Sequence, residues 1–144
     1  MVPGKVQGNQ FELIFEKQCR MQGIAYRKVP MSCKWMGLGN LQLMESELDY
    51  IAIHNGVCAF VDTKTFEGDK FVYSDIKQHQ LKTALFYNEY KVKAGYLVWF
   101  RKENAVCFFM GTFLEEVKPR ESRWWYEGEY LGTYEEFCLG NLFI

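Results

Sequence analysis

The chain of 144 residues lacks an uninterrupted apolar run of the roughly 20 residues that a membrane-spanning helix needs. Its first ten residues, MVPGKVQGNQ, also lack the apolar core of a secretory signal peptide. We therefore expect a soluble, intracellular protein that has no membrane partner.

Cysteine is scarce and irregularly placed. The five cysteines are odd in number, scattered, and form no C-x-x-C pair, so neither a disulfide framework nor a zinc site is indicated. An overall excess of positive charge is also missing, because 17 Lys and Arg residues face 18 Asp and Glu residues. Any contact with nucleic acid must then depend on local patches. Repeats, low-complexity runs and linkers are absent as well, which predicts one continuous domain over residues 1–144.

What the sequence does contain is the stretch DYIAIHNGVCAFVDTKTF, residues 49–66. Its apolar alternation on both sides of Asn55-Gly56 predicts a β-hairpin with a two-residue turn. That turn sets the register of the strands and brings Asp49 opposite Asp62. Like charges that face each other across two strands are destabilising, so we expect a cation to compensate. Lys64 follows two residues after Asp62 and shares its face of the strand.

Two carboxylates beside an ammonium suit metal-assisted hydrolysis of a phosphodiester. Mg²⁺ takes its oxygen ligands from one or two carboxylates together with substrate phosphate. The ammonium can orient water or stabilise developing charge. The alternative is a solvated strand end at which Asp62 and Lys64 form an ordinary ion pair, and a short D-x-K motif does not decide between the two.

The remaining periodicity predicts further helices and strands around this hairpin. One helix is expected over residues 9–22 with Asn9 as its N-cap, and a second over 75–93, capped by Ser74 and stopped by Gly95. Further strands are expected at 24–30, 95–100 and 105–110, a short helix near 113–118, and irregular chain over 31–48. This order predicts an α/β or α+β domain with a mixed sheet, in which the second helix forms a right-handed crossover.

Four blocks of the sequence together resemble the PD-(D/E)xK nuclease superfamily, and within it the RecU-type Holliday junction resolvases of bacteria and their phages. They are GNQFE at 8–12, GIAYRKVP at 23–30, the hairpin at 49–66, and DIKQHQLKTALFYNEYKVKAGYLVWF at 75–100. In that family a helical Glu, an Asp, a D/E-x-K strand and a His-Gln helix occur in this order. The resemblance covers roughly residues 8–110 and implies a restriction-endonuclease-like mixed β-sheet flanked by helices.

The resemblance also implies roles for individual residues. Asp49, Asp62 and the main-chain carbonyl of Thr63 would bind Mg²⁺ or Mn²⁺, and Lys64 would act near the attacking water. Gln80 would face the site from the second helix, whereas His79 matches the family without a proton-transfer role. The implied catalytic set is Glu12, Asp49, Asp62, Lys64 and Gln80.

Glu12 has a second interpretation. It stands three residues after Asn9, which is the spacing of a capping box, and its carboxylate would then only bind the cap amide. Glu16, one helical turn further on, is the rival acid. The sequence also departs from the family at Asp62, where RecU-type members usually show Glu. It shows no Arg-rich N-terminal arm, and residues 31–48 form a shorter segment than the family's stalk.

Several basic residues with aromatic neighbours are predicted to contact DNA, because phosphate contacts position a duplex without reading its sequence. The predicted set contains the basic residues Arg27, Lys28, Lys34 and Lys77 and the aromatic Trp35. Trp35 would either enter the open centre of a junction from the stalk or close one edge of the core. Trp124 and Trp125 likewise would either stack on exposed bases or pack into the core.

Together these features predict an Mg²⁺-dependent endodeoxyribonuclease that acts as a homodimer and resolves four-way DNA junctions by paired nicks. The resemblance implies a cytoplasmic location in a bacterial or phage-infected cell. One alternative is a related nuclease that acts on flaps, ends or single strands. The other is a non-catalytic DNA-binding module of the same fold. The role of residues 111–144 is left unassigned.

Overall fold

The computed structural model describes residues 4–29, 32–35, 41–44, 48–116 and 122–144, and it describes 4–9, 32–35 and 41–44 by their backbone alone. The α-helices in these ranges are α1 (Gly4–Met21), α2 (Gln78–Glu89) and α3 (Gly111–Glu116). The strands are β1 (Ala25–Lys28), β2 (Ser32–Trp35), β3 (Leu41–Met44), β4 (Tyr50–His54), β5 (Val57–Phe66), β6 (Lys70–Phe71), β7 (Lys93–Phe100), β8 (Ala105–Met110), β9 (Arg123–Trp124) and β10 (Glu129–Gly132). Short 3₁₀ helices lie at Tyr73–Asp75, Trp125–Glu127 and Gly140–Phe143.

The central sheet has six strands in the order β1-β4-β5-β7-β8-β10. Its neighbours are antiparallel except β5 and β7, which run parallel and are connected through α2. A parallel pair needs a crossover connection, and α2 provides it. The predicted α+β class with a mixed sheet is confirmed.

Helices cover both faces of this sheet. On one face, α1 packs Phe11, Phe15 and Cys19 against the buried side chains of Tyr50 and Val61. On the other face, α2 and α3 cover the opposite side chains of β7 and β8. Because side chains alternate along a strand, each strand supplies residues to both layers. We refer to the two sides as the α1 face and the α2 face.

The hairpin forms as predicted. Asn55 and Gly56 have φ angles of 52° and 77°, the positive values that a two-residue type I′ turn requires. The register pairs His54 with Val57 and continues to Tyr50 with Val61. The ladder ends at that pair, so the predicted pairing of Asp49 with Asp62 is wrong. Asp49 lies just before β4, and its side chain rather than its backbone bonds to β5.

The predicted helix boundaries are wrong at three points. Helix α1 begins at Gly4, so Asn9 lies inside it and is no N-cap. Once a helix has nucleated, each added residue gains a hydrogen bond, and the docked segment therefore extends into the polar residues before it. Helix α2 begins at Gln78, after an extended Lys77, while Ser74 belongs to a separate 3₁₀ helix.

The end of α2 also differs from the prediction. The helix ends at Glu89, and Lys91 follows with a left-handed φ of 62°. Gly95 lies inside β7, where a Cβ atom would collide with the main-chain carbonyl oxygen of Phe109. The glycine is therefore required by close strand packing rather than by a helix stop.

The segment 31–48 is not wholly irregular, because β2 and β3 form an antiparallel pair that joins Ser32 to Met44 and Trp35 to Leu41. Residues 30–31, 36–40 and 45–47 lie outside the described part. In the tail, α3 occupies 111–116, β9 pairs with β6, and β10 joins the central sheet beside β8. Within the described ranges, no helix is both long and apolar enough to cross a membrane.

Candidate active site

Four of the predicted site residues come together at one end of the hairpin. Asp62 and Lys64 lie on β5 and share one face of the sheet, because they are two residues apart in a strand. That face is the α2 face, since the intervening alternation places Val61 on the α1 face. Asp49 precedes β4 at the same end, and Gln80 approaches from the first turn of α2. The hairpin register and the crossover helix together create this cluster.

Asp62 is the centre of the cluster and is almost fully buried, with 2% of its surface exposed. Gln80 donates a hydrogen bond of 2.9 Å from Nε2 to Oδ1 of Asp62. On the other carboxylate oxygen, the Lys64 ammonium lies 3.4 Å away, and 17% of the Lys64 side chain is exposed. The carboxylate is thus fixed on both oxygens while the ammonium keeps access to solvent.

The electrostatics of Asp62 are unfavourable for its charge. Burial, and then the neighbouring Asp49 carboxylate, raise the pKa of Asp62 to about 7, although Lys64 opposes the shift. A typical aspartate has a pKa of about 4. Carboxyl groups whose pKa is displaced by burial and a like charge concentrate at functional sites.

Asp49 is oriented by β5. Its Oδ2 atom accepts two hydrogen bonds of 3.0 Å, one from the main-chain N–H of Thr63 and one from the Thr63 hydroxyl. Its main-chain carbonyl accepts a further bond of 2.8 Å from the N–H of Val29. These contacts hold Asp49 beside Asp62 even though the strand pairing stops one residue earlier.

The donor set fits a hard divalent cation. Two carboxylates and the carbonyl of Thr63 are oxygen ligands of the kind that Mg²⁺ and Mn²⁺ accept. Within the described ranges, Oε1 of Gln80 is buried and has no hydrogen-bond partner. In the part of the chain that the structure describes, no three His, Cys, Asp or Glu side chains form a ready-made metal cluster. An ion here would therefore complete its coordination with water or phosphate, as Mg²⁺ usually does.

The two acids of α1 approach the same end of the hairpin from the other face. Glu12 forms an ion pair of 2.8 Å with Lys28. Glu16 accepts a hydrogen bond of 2.5 Å from the hydroxyl of Tyr50. Burial, the bond to Glu16 and the charges of Glu12 and Asp49 raise the pKa of Tyr50 above its usual range. The capping-box interpretation of Glu12 is wrong, since Asn9 is inside α1; the choice between Glu12 and Glu16 stays a prediction.

The predicted DNA-contacting residues are spread over both faces. Arg27 pairs with Ile51 and Lys28 with Tyr50, so the two neighbours point to opposite faces. Lys28 is tied to Glu12, whereas Arg27 is exposed on the α2 face, and Lys77 is exposed at the start of α2. Lys34 and Trp35 lie on β2, and their side chains are outside the described part.

The sequence did not point to Tyr96, which the structure places beside Asp62. Tyr96 is the register partner of Asp62 across the parallel pair, and the Lys64 ammonium lies 5.5 Å from the centre of its ring. In an apolar strand this residue looks like ordinary core. Only the long-range register of β5 against β7 identifies its position.

The two tryptophans of the tail behave differently from one another. Trp125 packs against the cluster between the sheet and α2. Trp124 is 39% exposed, and the Lys70 ammonium lies 4.3 Å from its ring centre. Core packing therefore applies to Trp125, while Trp124 presents an aromatic edge to solvent.

No protein-family model and no curated protein matches the chain. Among solved structures it is similar to Hjc, a Holliday junction resolvase from the archaeal hyperthermophile Archaeoglobus fulgidus. The TM-score is 0.57 with 12% sequence identity, and the match covers 85% of this chain and 95% of that chain. The likeness is one of fold, and it agrees with the predicted mixed sheet flanked by helices.

Proposed function

We propose that the protein is a divalent-metal-dependent endodeoxyribonuclease that resolves four-way DNA junctions by paired nicks, as a RecU-type member of the PD-(D/E)xK superfamily would. The observation that carries this proposal is the buried Asp62 beside Asp49, Lys64 and Gln80 at one end of the hairpin. The similarity of the fold to that of a Holliday junction resolvase supports the substrate class.

In this proposal Asp49, Asp62 and the carbonyl of Thr63 hold Mg²⁺ or Mn²⁺. When bound, the ion would polarise the scissile phosphate and neutralise charge that develops on it. Asp49 is held in place for this role by the N–H and hydroxyl of Thr63. Asp62 is held by Gln80, which leaves the second oxygen of Asp62 facing Lys64.

Lys64 contributes a partly exposed ammonium next to the scissile position. Its side chain is fixed at the Asp62 carboxylate and yet reaches solvent, so it can donate to the attacking water or to a phosphate oxygen. A donor that is already oriented before reaction stabilises developing charge without further reorganisation. Glu12 is the acid of α1 that we propose for the catalytic set, with Glu16 as the rival.

We propose that DNA lies across the α2 face, where exposed Arg27 and Lys77 can neutralise phosphates. The β2–β3 pair would serve as a short stalk that brings Lys34 and Trp35 to the junction centre. The resemblance to bacterial and phage resolvases supports a cytoplasmic site of action.

Paired nicks require two active sites, and we propose that a second copy of the chain supplies the other. Large apolar side chains are exposed on one side of α2, with Phe86 at 53% and Tyr90 at 68%. Beside them, the ring of Tyr87 stacks on Phe60 at 3.8 Å and contacts the ring of Phe86. Such a patch is typical of an interface. Sedimentation should show a dimer that Phe86→Glu converts to a monomer.

The deciding experiment offers four-way junction, flap, duplex and single-stranded DNA in parallel, with and without Mg²⁺ or Mn²⁺. We expect symmetric nicks in the junction only when the metal is present. Equal cleavage of flaps or single strands would support the related nuclease instead. Binding to the junction without cleavage in either metal would support a non-catalytic module.

A further inference from the structure

We propose that Tyr96 is a positioning residue of the site, whose aromatic ring holds the ammonium of Lys64 in place. This inference rests on the proposed function for its catalytic consequence. The contact between the two side chains can be tested without it.

The first observation is the placement of the ring. Tyr96 is fully buried on β7 and is the register partner of Asp62 on the parallel strand β5. Paired residues of neighbouring strands point to the same face, so the ring lies on the α2 face with Asp62 and Lys64. The ring is a buried member of the core cluster on that face, packed among other apolar side chains.

The second observation is the contact itself. The Lys64 ammonium lies 5.5 Å from the ring centre, within the distance at which a cation is attracted to an aromatic face. Only 17% of the Lys64 side chain is exposed, so water screens the attraction less than at an open surface. Such contacts are the stronger ones when both groups are desolvated.

The third observation concerns what else could hold Lys64. Its ion pair with Asp62 is long, at 3.4 Å, and Asp62 is also a proposed ligand for the metal. In the proposed function the Asp62 carboxylate therefore interacts with two cations, the metal ion and Lys64. The ring of Tyr96 interacts with Lys64 alone of these two. A ring holds the ammonium in place whether or not the charge of Asp62 is engaged elsewhere.

The hydroxyl of Tyr96 is separable from this role. Its oxygen is buried and has no hydrogen-bond partner among the residues that the structure describes. Tyr96→Phe should therefore fold normally and keep the ring, while Tyr96→Leu removes the ring. Phe100→Leu is the matched control, because Phe100 is an equally buried aromatic residue on the same strand and the same face.

The first measurement is the NMR shift of the Lys64 side-chain protons in metal-free protein. A ring above the ammonium shifts the adjacent methylene protons upfield. We expect the shift in the parent, in Tyr96→Phe and in Phe100→Leu, and its loss in Tyr96→Leu. An unchanged shift in Tyr96→Leu would overturn the proposal, whether or not the protein cuts DNA.

The second measurement is single-turnover cleavage of a junction at saturating Mn²⁺, with junction affinity measured alongside. We expect Tyr96→Leu to lower the rate about 10-fold at unchanged affinity, and Tyr96→Phe to stay within about 2-fold. An equal loss in Phe100→Leu would mean that the effect is one of core packing, and the proposal would fail. If the parent cuts no DNA, the proposed function fails and the NMR result alone decides the contact.

Discussion

Two pairs of acids lie at one end of the hairpin, one pair on each face of the sheet, and their surroundings differ. On the α1 face, Glu12 meets the Lys28 ammonium and Glu16 meets the Tyr50 hydroxyl. On the α2 face, burial and then the neighbouring Asp49 carboxylate raise the pKa of Asp62 to about 7. Each pair faces one ammonium, Lys28 or Lys64, but only the α2 pair contains a carboxylate that is almost fully buried. In this sense we call the α1 pair matched and the α2 pair unmatched.

The difference between the pairs lies in burial, because each of the four acids accepts at least one hydrogen bond from the protein. A hydrogen-bonded carboxylate that keeps contact with solvent carries its charge at little cost. A buried pair of carboxylates costs stability, and it persists only where the surrounding structure enforces it. The α2 face is therefore where we expect an external cation to bind. Variants of the two pairs test this difference between the faces.

The largest effect should come from Asp62→Asn, which removes a charge from the unmatched pair. We expect cleavage to fall at least about 1,000-fold, because metal ligands contribute several kcal/mol to the transition state. Junction affinity should stay within a few-fold, since Asp62 is buried. Gel-based cleavage and binding assays measure both, with exposed Asp75→Asn as the control. Normal cleavage by Asp62→Asn would refute the metal assignment.

The same variant gives a pH test in metal-free protein. A raised pKa means that the folded state binds the Asp62 proton more tightly than the unfolded state does. The stability from that proton is present below about pH 4 and is lost as the pH rises through about 7. We expect the Tm of Asp62→Asn to exceed that of the parent by an amount that grows over this interval and shrinks when Mg²⁺ is added.

Lys64→Ala should rank next. We expect a loss of turnover of about 100-fold to 1,000-fold, the usual result of removing one donor to developing charge. Mn²⁺ binding measured by calorimetry should persist, because an ammonium has no lone pair to offer a metal ion. Exposed Lys102→Ala serves as the control. If Lys64→Ala loses activity only because Mn²⁺ no longer binds, the proposed role of Lys64 is incorrect.

On the matched face, Glu12→Gln and Glu16→Gln should divide function from stability. Glu12 is paired with an exposed lysine, and such pairs contribute only about 0–1 kcal/mol to stability. Glu12→Gln should therefore cost little stability, while it should lower the cleavage rate about 10-fold. Glu16 is bonded to buried Tyr50, and Glu16→Gln should cost about 1–3 kcal/mol of unfolding free energy. Denaturant melts and cleavage rates measured together test this, and the reverse result would make Glu16 the catalytic acid.

The smallest effect should separate the neighbours Arg27 and Lys28. Arg27→Ala should weaken junction binding a few-fold, because Arg27 is exposed on the α2 face. It should also reduce the slope of log affinity against log salt concentration by about 1, the value for one lost phosphate contact. Lys28→Ala should change binding little, since Glu12 already neutralises that ammonium. Binding isotherms at several salt concentrations measure both. Equal effects would mean that DNA spans both faces.

Sequence alone sufficed wherever local chemistry determines structure. Asn55-Gly56 admits one tight turn, that turn sets the register, and the register brings Asp49 to Asp62. The start of α1 was missed, because a docked helix extends past its best cap. Tyr96 and the β10 strand were missed because they depend on pairing between distant segments, which local patterns do not encode.

The contacts of α1 with the tail have a consequence for the order of folding. Gln18 donates to the main-chain carbonyl of Glu135, and Gln22 bonds to both Phe137 and Leu139. These partners lie more than 100 positions apart in the sequence, and such distant contacts form slowly because the intervening chain must first be brought together. The helix that carries Glu12 therefore reaches its final position only after residues 135–139 have been synthesised. On the ribosome, the hairpin that carries Asp49 and Asp62 is complete long before the tail residues that complete the contacts of α1.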